Sequence, residues 1–189
     1  MSTLWVVGDS TLSPFNDKFY YPRYGYGTML NQYLDDTVEV KNLALSGRSS
    51  KSFLVEPEYE QLLQGMKQGD FLLIGFGHND EKMEEQRHTA GRGGYMDEGS
   101  FANSLYVNYY LKAKEAGCTT IICTPIVRRT PDGKWSSDML HITSDQDKFF
   151  GGDYPDAIRT MGSELNIPVV DMTAVTKELY DKMGPDKTA

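Results

Sequence analysis

The sequence predicts an α/β domain, a three-layer α/β/α sandwich built around a parallel sheet of five strands. Three observations predict it. Short apolar runs alternate with longer stretches of helical spacing along the whole chain. The middle run, Phe71-Leu72-Leu73-Ile74-Gly75, is apolar without interruption, as in a strand buried on both faces. The 189 residues, 39% hydrophobic and 12% aromatic, are enough for a single domain (1–189) with its own core. Strands that alternate with helices need right-handed crossovers, and these give parallel pairing.

Taken in order, Leu4 to Val7 forms the first strand and stops at Gly8. Gly25 to Leu34 reads as a short helix, because Tyr26, Met29, Leu30, Tyr33 and Leu34 recur at helical spacing. Val38 to Leu45 is the second strand and ends in Ser46-Gly47-Arg48-Ser49-Ser50. Tyr59, Leu62, Leu63 and Met66 mark a helix closed by Gly65 and Gly69, and Phe71 to Gly75 is the third strand. Gly77 to Gly99 is a long polar loop, and loops of this length in compact domains are functional or mobile. Phe101, Leu105, Val107 and Leu111 lie in a helix that ends near Gly117. Thr119 to Thr124 is the fourth strand, followed by Pro125 and a polar loop to about Gly152. Ala157, Ile158, Met161 and Leu165 mark a helix, Pro168 to Val170 a fifth strand, and Val175 to Met183 the last helix. This order describes a doubly wound, flavodoxin-like sheet, whose ligands sit beyond the carboxyl ends of the strands.

Charge and composition exclude several classes. Lys and Arg number 19 against 27 Asp and Glu, a net charge of -8, which argues against a general nucleic-acid binder. No apolar run approaches the roughly 20 residues that cross a bilayer, so no membrane partner is expected. Leu4 to Val7 is too short for a signal-peptide core and no basic region precedes it, so the expected location is cytoplasmic, or secreted if a leader has been removed. Cys118 and Cys123 share one strand and would stand about 16 Å apart, too far for a disulfide, and read as small buried hydrophobes. No Cys or His cluster has metal-ligand spacing, so neither a metal nor an organic cofactor is expected.

Three strand ends bring chemistry to one edge: Gly8-Asp9-Ser10-Thr11, Ser46-Gly47-Arg48 and Gly77-His78-Asn79-Asp80. Together they offer a hydroxyl nucleophile, a flexible backbone N–H and a side-chain amide, the parts that acyl transfer needs. Each alone has a plainer reading as a turn or cap residue; the information lies in their order and shared edge. Val7-Gly8-Asp9-Ser10, Ala44 to Ser49 and Gly77 to Asp80 resemble the first three blocks of the GDSL, or SGNH, hydrolases. The match is closest to the rhamnogalacturonan acetylesterase-like branch, through Phe76 to Asp80, Thr124 to Arg129 and Gly152 to Pro155. The resemblance implies the SGNH fold, with Ser10 as nucleophile and the Ser10 N–H, Gly47 N–H and Asn79 amide as oxyanion donors. It also implies acetylated pectic oligosaccharides as substrate.

The same resemblance implies an Asp-x-x-His motif and a covering helix after the last helix identified here, and neither is found before Ala189. The domain is therefore expected to be incomplete at its C-terminus, with an uncovered edge open to self-association. The alternative places the base within the chain: Asp138-Met139-Leu140-His141 has the required spelling, one strand early, in a loop that opens on the same edge. His78 is better placed to hold a loop or touch substrate, and His88 to be solvated. Asp9, Arg48, His78, Arg128 and Arg129 are expected to contact substrate, the arginines through uronate carboxylates. Phe15, Tyr20, Tyr21 and Trp135 could stack on sugar rings. Two readings compete with an esterase: a carbohydrate-binding relative that lacks the base, and an FMN carrier using Ser10, Thr11 and Ser13 around a phosphate.

Overall fold

The structure, a computed structural model, describes residues 1–15, 22–130 and 132–188, so the candidate aromatics at 20 and 21 lie outside the described residues. Its strands are β1 (Ser2–Gly8), β2 (Val38–Asn42), β3 (Phe71–Gly75), β4 (Thr119–Cys123), β5 (Ile142–Thr143), β6 (Gly152–Asp153) and β7 (Val169–Val170). Five of them form one parallel sheet in the order β2-β1-β3-β4-β7, while β5 and β6 pair as a separate antiparallel ribbon. The helices are α1 (Pro57–Gly65), α2 (Phe101–Leu105), α3 (Leu111–Glu115), α4 (Tyr154–Leu165) and α5 (Met172–Met183).

Strand alternation sets the layers. Trp5 and Val7 join one buried cluster with Leu72, Ile74, Phe101, Leu105, Tyr109 and Ile158, whereas Leu4 and Val6 join another with Leu12, Ala44, Leu73 and Cys123. Burying an aliphatic or aromatic side chain of this kind contributes roughly 1.5–3 kcal/mol. At the start of the sheet, the Asp70 carboxylate accepts from the Thr3 N–H (2.9 Å) and the Trp5 indole N–H (3.0 Å), tying β1 to the entrance of β3. Burial alone would raise this carboxyl, but the bonds from Trp5 and Thr3 hold it below its ordinary range. Cys118 and Cys123 are free thiols; Cys123 is buried as expected, whereas Cys118 precedes β4 and is only partly buried.

Five elements differ from expectation, each for a local reason. The segment after β1 is a 3₁₀ helix, Tyr26–Gln32, rather than an α-helix. Its entrance is drawn onto the first loop by Gly25 N–H to Ser13 O (2.9 Å) and Tyr26 N–H to Thr11 O (2.7 Å). β2 ends at Asn42, whose side chain donates to Leu12 O (2.7 Å) and accepts from Ala44 N–H (3.1 Å), competing with the ladder. The helix expected from Phe101 onward contains a π-helical turn, Tyr106–Tyr110, between α2 and α3. That turn holds Tyr109 fully buried, with its hydroxyl donating to Ser50 O at 2.7 Å. The last two helices begin earlier than their apolar spacing suggests, because Asp153 and Asp171 cap them by accepting from Asp156 N–H and Ala174 N–H. Among the described residues no helix is long and apolar enough to cross a membrane.

Candidate functional site

The register of β1 against β3 sets Gly8 opposite Gly75, so the loops after both strands leave the sheet side by side. A Cβ at Gly8 would lie 2.4 Å from Gly75 O, so only glycine permits this approach. Leu45 N–H then bonds Gly8 O (3.0 Å) and brings in the loop after β2. The three expected blocks thus meet at one edge.

In the first loop Asp9 is buried, and its Oδ1 accepts from Thr11 N–H (2.9 Å) and Thr11 Oγ1 (2.7 Å). This Asx turn leaves Ser10 half-buried on the wall of a cavity of about 460 Å³, shared with Thr11, Phe15, Arg23, Tyr24 and Ser46. The Ser10 hydroxyl has no hydrogen-bond partner among the described residues. In the second loop Gly47 has φ +78 with open space on its Cβ side. In the third, Asn79 Nδ2 donates to Arg48 O at 3.1 Å. Arg87 closes the group: its Nη1 donates to Asn79 Oδ1 (3.0 Å) and reaches Gly47 O (3.4 Å). Sequence reasoning missed Arg87, since a single arginine in a charged loop carries no periodic or motif signal. Replacing Arg87 by alanine is expected to lower kcat for ester cleavage about tenfold with little change in KM, because the donors lose their placement and not their identity. Steady-state kinetics checks this; a loss confined to KM would count against it.

Asp80 anchors the whole arrangement. It is fully buried and accepts from Ser50 N–H (3.1 Å), the Ser50 hydroxyl and Thr89 Oγ1 (2.9 Å), joining the second loop to the third. Burial pushes its carboxyl up to about 7 against the pull of the Ser50 and Thr89 bonds, and pushes Asp9 up to about 6 against the Thr11 bonds. Both groups bind a proton more tightly in the folded chain than in the unfolded one. Their contribution to stability is therefore full below the unfolded value and is lost as pH rises through about 6 and 7. Asp80→Asn, which cannot ionise, is expected to gain about 1–3 kcal/mol relative to the native chain between pH 5 and pH 8. Urea midpoints at the two pH values measure the difference, and a constant gap would contradict it.

Two of the three histidines are bonded to partners other than Ser10. His141, fully buried at φ +62, sets Nδ1 3.0 Å from Glu81 Oε2 and Nε2 2.7 Å from Ile126 O. The Asp138 carboxylate does not reach it: it accepts from Ser136, and only the Asp138 carbonyl takes the His141 N–H, at 3.2 Å. The carboxylate partner of His141 is Glu81. Burial would raise Glu81, yet the bond and charge of His141, together with Arg128, hold it below its ordinary range. His78 also bonds Ile126 O (2.9 Å), with its ring 4.5 Å from that of His141. Burial, aided by the charges at His141 and Arg128, drives its pKa well down, so His78 is neutral. His88, expected to be solvated, instead packs edge-on against Phe149 with both ring nitrogens buried and unbonded among the described residues.

The expected arginine contacts are likewise committed to internal partners. Arg48 pairs with Glu56, Arg128 with Glu81, and Arg129 with Tyr180 O (2.6 Å), its guanidinium lying 5.2 Å over the Trp135 ring. No group of His, Cys, Asp and Glu among the described residues could hold a metal ion. The edge thus presents an accessible hydroxyl beside a glycine loop and a clamped amide, an arrangement suited to acyl transfer.

Comparison with known proteins bears on this arrangement. The chain is 32% identical, over 98% of its own length and 71% of the relative's, to a protein named rhamnogalacturonan acetylesterase RhgT from Bacillus subtilis (strain 168). It superposes on the crystal structure of the YxiM protein of Bacillus subtilis with a TM-score of 0.71 and 23% identity, covering 98% of this chain and 48% of that one. It also superposes on a lipolytic protein of the G-D-S-L family from Veillonella parvula DSM 2008, with a TM-score of 0.61 and 17% identity over 97% of this chain and 84% of that one. No protein-family model matches the chain.

Proposed function

Because the chain belongs to the GDSL/SGNH hydrolases, in their rhamnogalacturonan acetylesterase-like branch, and is thereby a carboxylic ester hydrolase acting on an acetylated carbohydrate, we propose that Ser10 is its nucleophile and that O-acetyl groups on pectic, rhamnogalacturonan-type oligosaccharides are what it removes. The Ser10 oxygen attacks the acetyl carbonyl, and the resulting oxyanion rests among the Ser10 N–H, the Gly47 N–H and the Asn79 amide. The sugar hydroxyl leaves with a proton. Water then attacks the acetyl-serine, releasing acetate and restoring the hydroxyl. What supports the reading is that the loops carrying Ser10, Gly47 and Asn79 leave one edge of the sheet, with Ser10 and Ser46 lining one cavity and Arg87 bonding both Gly47 O and Asn79 Oδ1. A preset oxyanion donor of this kind is worth about 10²–10³ in kcat.

The Ser10 proton needs an acceptor. For His141 to take that part it would have to release the Ile126 carbonyl, and the carboxylate orienting it would be Glu81, since Asp138 is turned to Ser136. The engagement of His78 and His141 with Ile126 O favours one further reading: a cradle that holds acetylated sugar without turning it over. Intact-mass analysis after exposure to a serine-reactive fluorophosphonate separates the two, with Ser10→Ala as control. A single adduct that the control lacks supports the nucleophile, whereas a folded, unlabelled chain that still binds the oligosaccharide supports the cradle. Acetate release from acetylated rhamnogalacturonan fragments, set against acetylated xylan fragments, tests the sugar. Self-association is the companion proposal, at the face where Val175, Leu179 and Met183 of α5 are exposed; sedimentation that stays monomeric at high concentration would remove it.

A further inference from the structure

The chain carries seven arginines, and six of them have a carboxylate partner: Arg48 with Glu56, Arg87 with Glu84, Arg92 with Asp145, Arg128 with Glu81, Arg129 with Asp181 and Arg159 with Asp171. The seventh, Arg23, is exposed and has no ion-pair partner among the described residues. It lines the same cavity of about 460 Å³ as Ser10, with the rings of Phe15 and Tyr24. A guanidinium with no acceptor costs nothing to redirect to a ligand, whereas each paired arginine would first have to break its own bond. The protein carries a net charge of -8, so an anionic sugar approaches against the mean field and needs a local cation to dock.

We infer that Arg23 is the carboxylate-reading residue of the site: it pairs with a uronic-acid unit adjacent to the acetylated sugar while the Phe15 and Tyr24 rings flank the chain. The inference rests on the acetylesterase reading above and adds the residue that selects an acidic over a neutral glycan at Ser10. Arg23 touches the substrate away from the reacting carbonyl, so its effect falls on binding. A guanidinium–carboxylate pair in a partly open cavity corresponds to about a tenfold preference.

The test uses the full chain carrying Ser10→Ala, so that binding is read without chemistry. The probes are a galacturonic acid trimer and its methyl ester, and affinities are taken by calorimetry at low and high salt. The acid is expected to bind more tightly than the ester, with a preference that salt weakens. Arg23→Gln should cut that preference about tenfold, and Arg23→Lys should keep part of it. Equal affinity for acid and ester, no binding of either, or a preference that Arg23→Gln leaves unmoved would each overturn the inference. Fluorophosphonate labelling of the unsubstituted chain reports on the nucleophile alone. Salt-sensitive binding without labelling would leave Arg23 standing and remove the acyl-transfer reading, and labelling without an acid preference would do the reverse.

Discussion

Ser10→Ala is expected to lower acetate release by about three orders of magnitude or more, the loss that follows when a serine nucleophile is removed and only oxyanion donors and binding surface remain. The same substitution leaves the thermal midpoint nearly unchanged. Ser10 is half-buried, its hydroxyl bonds nothing among the described residues, and alanine fits the same backbone. The pair of measurements is what makes the result informative. Lost turnover with an unchanged midpoint assigns Ser10 to chemistry, while a drop in both would mean that the Asx turn under it had been disturbed. Retained turnover would move the nucleophile elsewhere.

The largest effect on stability is expected at Asp80. Asp80→Ala strands the Ser50 N–H and the Thr89 hydroxyl in a fully buried place, leaves the Ser50 hydroxyl only Ser104 Oγ (2.8 Å), and opens a void beside them. Each unsatisfied buried donor costs about 1–3 kcal/mol, so a loss of about 3 kcal/mol or more follows. Denaturant unfolding near pH 6 measures it, and a loss below about 1 kcal/mol would mean that these donors find water or new partners. Activity should fall further than the folded fraction, because Ser50 stands three residues beyond Gly47 and Asp80 directly follows Asn79. The buried Asp80 side chain that ties the two loops together also holds the two proposed oxyanion donors in one frame.

The five strands and their order along the chain were legible because each is a short apolar run bounded by glycine or polar residues, and the strand-end blocks because each lies within a few consecutive residues. What was not legible depended on contacts between distant segments. The 3₁₀ turn after β1 owes its shape to main-chain bonds with Thr11 and Ser13, which spacing in Tyr26 to Leu34 cannot report. The partner of His141 is Glu81, 60 residues away, while the nearby Asp138 faces Ser136. Arg48, Arg128 and Arg129 looked available for substrate because sequence shows charge without showing its neighbour. Arg87, and the role of Asp80 within the third block, escaped notice for the same reason: both matter only once the loops after β2 and β3 are side by side.

The clamp on Asn79 has a consequence beyond placement. A primary amide is nearly symmetric in shape, and half a turn about its last bond exchanges a hydrogen-bond donor for an acceptor. In an oxyanion hole that exchange would set an oxygen lone pair against the developing negative charge. Here the turn is blocked at both ends: it would aim the amide N–H at the Arg87 guanidinium and the amide oxygen at the Arg48 carbonyl. Donation from Arg87 into the oxygen also draws electron density from the nitrogen and strengthens its N–H groups as donors. The polarity of the hole is thereby written into the resting protein, before any substrate arrives to select it.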